Sequence, residues 1–458
     1  MRKSFTIPNI LLISLLSFSG PVMAQSHTSL LDNSKFKASL HEEHETVNAQ
    51  DRFERSLKGL QNNTDLSFYI HKDFTNDQLL QLLAALKNNT SVTSFSFYEN
   101  PIFLRSYTSE ENTAVINALV DAINNRTNLG VAHFDMGSWQ DGKYTPAHLD
   151  ESAFAKILSA ISNSDNLAEF HFYGGYITET IADNLVSLIQ NPNLTKLIIE
   201  PSTSTEDNFV NAARIIEAIG KSHIKTLNIR DWFVPSSNNP LIARALAQGI
   251  SGNPDLKKVT FQNYIIDEVA AESLAVALNK NPVKEIWLRD NHFTDDIFSI
   301  LLPGLTQKNA LIRLGLDEQN LTEKSSSNFV QLYTSNPNLS IFDTYKGITK
   351  ITPTDMITFA NKLTTDQSLD DLALDDIGLD DNALILLAQA LTKNNVLSTL
   401  DLQGNYTILG ARAIMNALET NTALKYVPFD VSILNQIPEE EFYLFYERLE
   451  ANRSRNPK

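Results

Sequence analysis

Few residues in this chain have the types and spacing to make or break bonds. His133, Asp135 and His171 offer two imidazoles and a carboxylate, the donor types of a metal site. No further ligand is fixed by their spacing, so a polar surface pair is the favoured reading and metal-dependent hydrolysis the rival one. His41-Glu42-Glu43-His44 misses by one residue the H-E-x-x-H spacing that would turn both imidazoles to one helix face. Asp370-Asp371, Asp375-Asp376 and Asp380-Asp381 form a dense carboxylate run without the D-x-D-x-D-G order of a calcium loop. No Ser/His/Asp spacing and no phosphate-cradling glycine loop stands out. Cysteine does not occur, which excludes disulfides, cysteine-ligated zinc and thiolate nucleophiles. The expectation is therefore a chain that binds rather than catalyses, with no cofactor.

Binding chemistry is better represented. Tryptophan and arginine are common interface anchors, and Trp287, Arg289 and Arg230 stand among lysines that include Lys257 and Lys284. The 458 residues carry 54 acidic and 37 basic side chains, a formal net charge of -17. Acids such as Glu285 and Asp290 interrupt the basic stripe, so a nucleic-acid groove is not expected.

The elements that must position these residues follow from an internal repeat. Leu397-Ser-Thr-Leu400-Asp-Leu402-Gln-Gly-Asn405 reads L-x-x-L-x-L-x-x-N and is followed by an amphipathic helix ending near Asn421. First positions recur at Val92, Leu129, Leu167, Leu194, Ile224, Leu256, Val283, Leu311, Leu339, Leu369, Leu397 and Leu424. From Leu194 onward the starts are 27 to 32 residues apart, whereas the units starting at Val92 and Leu129 take 37 and 38. Positions 4 and 6 share one face of a strand by period-2 alternation. The run Ala383-Leu384, Leu387-Ala388, Leu391 has helical period instead. Neither element buries its face alone, so units must stack. Helices are wider than the strand spacing, which predicts a curved array with the strands on the concave side.

This pattern resembles the leucine-rich repeat of the ribonuclease-inhibitor type. The resemblance implies an α/β solenoid: a leucine-rich-repeat horseshoe with a concave parallel β-sheet and convex helices. Such arrays occur in sensor proteins and in exported proteins of bacteria that live inside host cells. The family's asparagine at position 9 stands at Asn100, Asn291 and Asn405, but gives way to Tyr264, Gln319, Gly347, Ile377 and others elsewhere. Irregular curvature is expected from that departure.

The expected organisation has four parts. Residues 1–24 read as a signal peptide, with Arg2 and Lys3, an apolar run from Ile10 to Phe18, and small residues ending at Ala24. Residues 25–63 form a polar segment and a capping helix, 64–434 about thirteen repeats, and 435–458 a C-terminal capping helix and tail. The mature chain is expected to be secreted or periplasmic, monomeric, and without a membrane span.

In the repeat register, positions 2, 3, 5, 7 and 8 face the concave surface or its rim. Early units offer His133, His171 and Tyr173; middle units offer Arg230, Trp287 and Arg289 with Lys225, Lys257 and Lys284; late units offer Asp317, Asp343, Tyr345, Asp371 and Asp375. The expected partner-binding residues are Trp287, Arg289, Arg230, Lys257, Lys284, Tyr173, Tyr345 and Asp375. The partner is expected to be a protein, and a host protein if the source is a pathogen. An envelope structural or glycan-recognition role is the alternative. For Trp287 the competing reading is simple packing on Arg289 or Lys257.

Overall fold

The computed structural model describes residues 48–71, 73–98, 110–125, 128–135, 137–140, 143–146, 151–174, 177–200, 206–230, 240–281, 283–306, 310–404 and 406–455. The signal-peptide reading of residues 1–24, the His41–His44 run, Asn100 and Asn405 lie outside them. Residues 1–58 and 59–458 form two compact units. In the first, the described residues run into the helix Ala49–Gln61, where the Asn48 side chain accepts the Asp51 N–H at 2.8 Å.

The second unit is built on strands. These are β1 Ser67–Ile70, β2 Ser94–Tyr98, β3 Val131–Asp135, β4 Gly137–Gln140, β5 Lys143–Pro146, β6 Glu169–Tyr173 and β7 Lys196–Glu200. They continue as β8 Thr226–Arg230, β9 Lys258–Gln262, β10 Glu285–Arg289, β11 Arg313–Gly315, β12 Ile341–Asp343, β13 Asp371–Ala373 and β14 Thr399–Asp401. Twelve of them form one sheet in chain order, and every described pairing within it is parallel. A parallel strand pair needs a crossover, and here a helix supplies it, so the unit is a leucine-rich-repeat-like α/β solenoid. The pair β4–β5 is the exception. It is antiparallel and takes up the extra length of the unit that starts at Leu129.

The two periodicities decide what is buried. Positions 4 and 6 of the strands meet helix side chains: Phe134 and Phe172 lie 5.4 and 5.9 Å from Phe154, and Phe342 lies 5.3 Å from Phe329. Helix starts are fixed by side-chain caps at Thr75, Thr178, Asp267, Thr294, Thr352, Asp380 and Thr407. Each such cap stabilises its helix by about 1 kcal/mol. At two helix starts an acid also ties successive units. Asp295 accepts from Thr322 and Ser325, and Asp381 accepts from Thr407 and Gly410. These bonds hold both carboxyls below the ordinary range, although burial works against them.

Two corners of the repeat carry the backbone accounting. At the strand's end, position 8 adopts a left-handed conformation in unit after unit: Gly174, Asn263, Asp290, Glu318, Lys346 and Asp376 have φ of 71°, 63°, 49°, 52°, 49° and 54°. Each donates its backbone N–H to the position-7 carbonyl of the following strand, as in Glu318 to Tyr345 at 2.7 Å and Asp376 to Gln403 at 2.7 Å. At position 9, Asn291 donates to the Phe261 carbonyl and accepts the Tyr264 N–H. Gln319 does the same work for Leu288 and Phe293, so one departure from the expected asparagine is a functional replacement.

The second corner lies where helix turns back to strand. Asn394 donates to the carbonyls of Leu363 and Asp366 in the preceding unit, while its side-chain oxygen accepts the N–H groups of Val396 and Leu397. Asn421 repeats this with Leu391, Asn394, Ala423 and Leu424. Asn89, Asn191, Asn253, Asn281, Asn336 and Asn452 also donate backward from this corner. Leaving a buried polar group unsatisfied costs roughly 1–3 kcal/mol. Asn394→Ala is therefore expected to lower unfolding stability by about 3 kcal/mol in urea titration, with exposed Asn395→Ala near neutral. Equal effects of the two substitutions would refute the clamp.

Candidate functional site on the open side of the sheet

Positions 5 and 7 point away from the helices and form two lateral rows across the sheet. The position-5 row runs Ser96, His133, His171, Ile198, Asn228, Thr260, Trp287, Gly315, Asp343, Ala373, Asp401 by direct register. The sequence reading places these residues in solvent, and the structure corrects it for several. Parallel strands lie ~4.8 Å apart, so neighbours in a row shield one another.

The middle zone shows this most clearly. Arg289 is only 6% exposed, because its Nε meets Asp317 Oδ2 at 2.7 Å. Its guanidinium carbon also lies 5.0 Å from the centre of the Trp287 ring. Trp287 is half-buried. Its six-membered ring covers Gly315, where an added Cβ would come within 2.3 Å of it, and its buried Nε1 has no hydrogen-bond acceptor. The packing of Trp287 on Arg289 is thus present. Arg230 remains half-exposed and is oriented by Asn228 at 2.9 Å. Lys257 and Lys284 are exposed on the rim.

In the early zone the rings of His133 and His171 lie 5.3 Å apart, and His133 lies 4.8 Å from the Tyr173 ring. The carboxylate brought to His171 is Glu169, at 3.4 Å from Nε2, and Lys196 holds that carboxylate at 2.9 Å. Sequence reasoning did not single out Glu169 and Lys196. Their shared position 3 on adjacent strands was the signal that could have found them. Burial, reinforced by the Lys196 charge, pulls the His171 pKa down to about 4, so its imidazole is neutral at pH 7.

The late zone concentrates carboxyl groups. Asp317, Asp343, Asp371, Asp375 and Asp401 are all buried, and Asp375 has no exposed surface, which corrects its reading as a surface contact. Asp375 instead accepts the Gln403 N–H at 2.9 Å. Tyr345 is half-exposed, with Lys346 Nζ 4.8 Å from its ring centre. Burial and the Asp343 charge push Asp317 well above the ordinary carboxyl range, against the pull of Arg289. Burial, then the charge and hydrogen bond of Asp375, push Asp401 up to about 10. A hydrogen bond that its protonated form donates to Asp290, followed by burial, pushes Glu318 up to about 7. Asp401 therefore keeps its proton at neutral pH, and the zone is less anionic than its formal count. Among the described residues no group of three or more His, Asp or Glu has a metal-holding arrangement.

Neither a protein-family model nor a curated protein matches the chain. Among solved structures it is similar to "Leiomodin-1 Actin-Binding Site 2 (ABS2)", at 13% identity and a TM-score of 0.21, over 48% of this chain and 92% of that one. It is also similar to the protein in "Crystal structure of TLR13-ssRNA13 complex", at 12% identity and a TM-score of 0.40, over 74% of this chain and 53% of that one.

The carboxyl zone has a pH signature. Folded pKa values above the unfolded ones mean that the native state binds more protons, so stability is complete below about pH 4 and falls as pH rises toward the folded values. His171 acts oppositely, with its contribution complete above about pH 6.5. Between pH 7 and 9 the chain should lose stability with rising pH. Asp401→Asn should reduce that slope by about 1.4 kcal/mol per pH unit, the slope of one proton, in denaturant titrations. An unchanged slope would show that Asp401 is ionised in the native state.

Proposed function

We propose that this chain is an exported repeat protein of the ribonuclease-inhibitor type that binds a protein partner across the open side of its sheet. The observation that carries this reading is the arrangement of Arg230, Tyr173 and Tyr345, half-exposed side chains on the open side of one parallel sheet whose rim carries exposed lysines. Aromatic and arginine side chains on a preorganised surface lose little entropy on binding and are frequent hot spots. In the strand order between Arg230 and Tyr345, Trp287, Arg289 and Asp317 brace one another. Trp287 and Arg289 thus support the contact surface as much as they supply it. The carboxylate that the His171 imidazole meets is Glu169, not the Asp135 of the hydrolase reading.

Export is supported by the charged start, the apolar run and the small residues before Gln25. No described helix is long and apolar enough to cross a membrane. For a chain made by a pathogen, the partner is a host protein. Intact-mass measurement of the protein recovered outside the cytoplasm should show an N-terminus at Gln25.

Affinity capture from bacterial envelope and from host-cell lysate, followed by mass spectrometry, supplies the partner. The purified partner should then bind the double variant Arg230→Ala, Tyr345→Ala at least tenfold more weakly, with the unfolding midpoint unchanged. Replacement of exposed Val276 on the helix Glu268–Lys280 should leave binding intact. The opposite ranking would move the site to the helices.

A further inference from the structure

The cations of the sheet divide into two kinds. Lys196 is tied to Glu169, Lys258 and Arg313 share Glu285, and Arg289 is tied to Asp317. The three residues that immediately precede β8, β9 and β10 are different. Lys225, Lys257 and Lys284 are all exposed. They stand side by side, because Lys257 N–H donates to the Lys225 carbonyl and Lys284 N–H to the Lys257 carbonyl, both at 2.8 Å. Among the described residues no carboxylate is within ion-pairing distance of any of the three, and Lys257 Nζ donates to the Pro254 carbonyl. Exposed Lys221 and Lys280 enlarge the same rim, and the nearby Asp255 is engaged by His223 at 3.1 Å. Adjacent ammonium groups repel one another in a chain whose net charge is -17.

We propose that the Lys225–Lys257–Lys284 rail is the docking site for an acidic segment of the protein partner, a run of three or four Asp or Glu residues. This inference rests on the protein-partner reading above and names the chemistry recognised. The rail spans about two strand spacings, roughly 10 Å, which three or four extended residues cover. Charge complementarity selects the occupant. A polyphosphate backbone would extend past the rail along a row that offers no cation at Thr195 and Ala168 on one side, and that runs through Ile312 and Ser340 to exposed Asp370 on the other. A lipid surface calls for apolar side chains beside the cations, and among the described residues no exposed large apolar side chain lies in the three loops before these strands. A short acidic segment meets the cations and avoids both obstacles.

The test uses the full chain and a fluorescein-labelled decaglutamate peptide, read by anisotropy. Binding should weaken at least tenfold between 50 and 300 mM NaCl. It should also weaken at least tenfold in the triple variant Lys225→Gln, Lys257→Gln, Lys284→Gln. The charge-matched control Lys156→Gln, Lys324→Gln, Lys393→Gln, all exposed and remote from the rail, should bind as the unsubstituted chain does. Equal losses in the two triple variants would mean that bulk charge alone is read, and would overturn the proposal. So would binding of the rail variant within twofold of the unsubstituted chain, no binding of the peptide, or tighter binding of single-stranded DNA or phosphatidylserine vesicles. If decaglutamate binding follows the rail while the captured partner ignores Arg230 and Tyr345, the open-side reading fails and the rail stands. The converse result removes the rail alone.

Discussion

The structure depends on one recurring problem in backbone accounting. Where a helix ends and the next strand begins, the chain turns inside a stack, and carbonyls of the previous unit would be buried without donors. Buried backbone groups must be paired. Asparagine solves this with one side chain, because its amide donates in one direction and accepts from the other. Asn394 and Asn421 show both halves, bonding backward to the previous unit and forward to their own turn. Where Asp366 stands in place of asparagine, its Oδ1 accepts from Ser368 and Leu369. It cannot donate backward, and Tyr333 and Lys362 occupy its other oxygen. The sheet, its register and the side-chain rows all inherit their spacing from these corners.

The fold was legible because leucine spacing carries it. L-x-x-L-x-L fixes which strand positions face the helices, and Phe134, Phe172 and Phe342 occupy those positions against helix partners. The polar clamp was read less well. Attention went to position 9, where the asparagine is often missing, whereas the more regular clamp sits at the helix end. A single sequence shows the residue type at both places, but only the path of the turn shows which carbonyls lie within reach.

The site was legible by row and not by exposure. Period 2 assigns Arg289, Asp375 and Trp287 to the side away from the helices, and they are there. What period 2 cannot state is how far a neighbouring strand's side chain covers them. Arg289 leans onto Trp287 and pairs with Asp317, and Asp375 turns inward to Gln403. Rim residues such as Lys257 and Lys284 escape this shielding because they precede the strands. Formal charge misled in the same way. The late zone reads as a strong anion in sequence, yet burial raises Asp317 and Asp401 above the ordinary carboxyl range, while Asp370 and Asp376 stay exposed.

The asparagine clamps also give the stack a direction. Where the corner holds asparagine, its amide reaches for carbonyls of the unit before it, so that unit presents acceptors which its successor covers. Synthesis from the N-terminus delivers units in that same order. A nascent chain can therefore close each corner as soon as the next helix ends, without waiting for a distant segment. Among the described residues the last of these bonds come from Asn452, whose side chain donates to the Asn421 and Leu424 carbonyls from within the helix Glu439–Arg455. Growth of this kind is polymerisation along one axis.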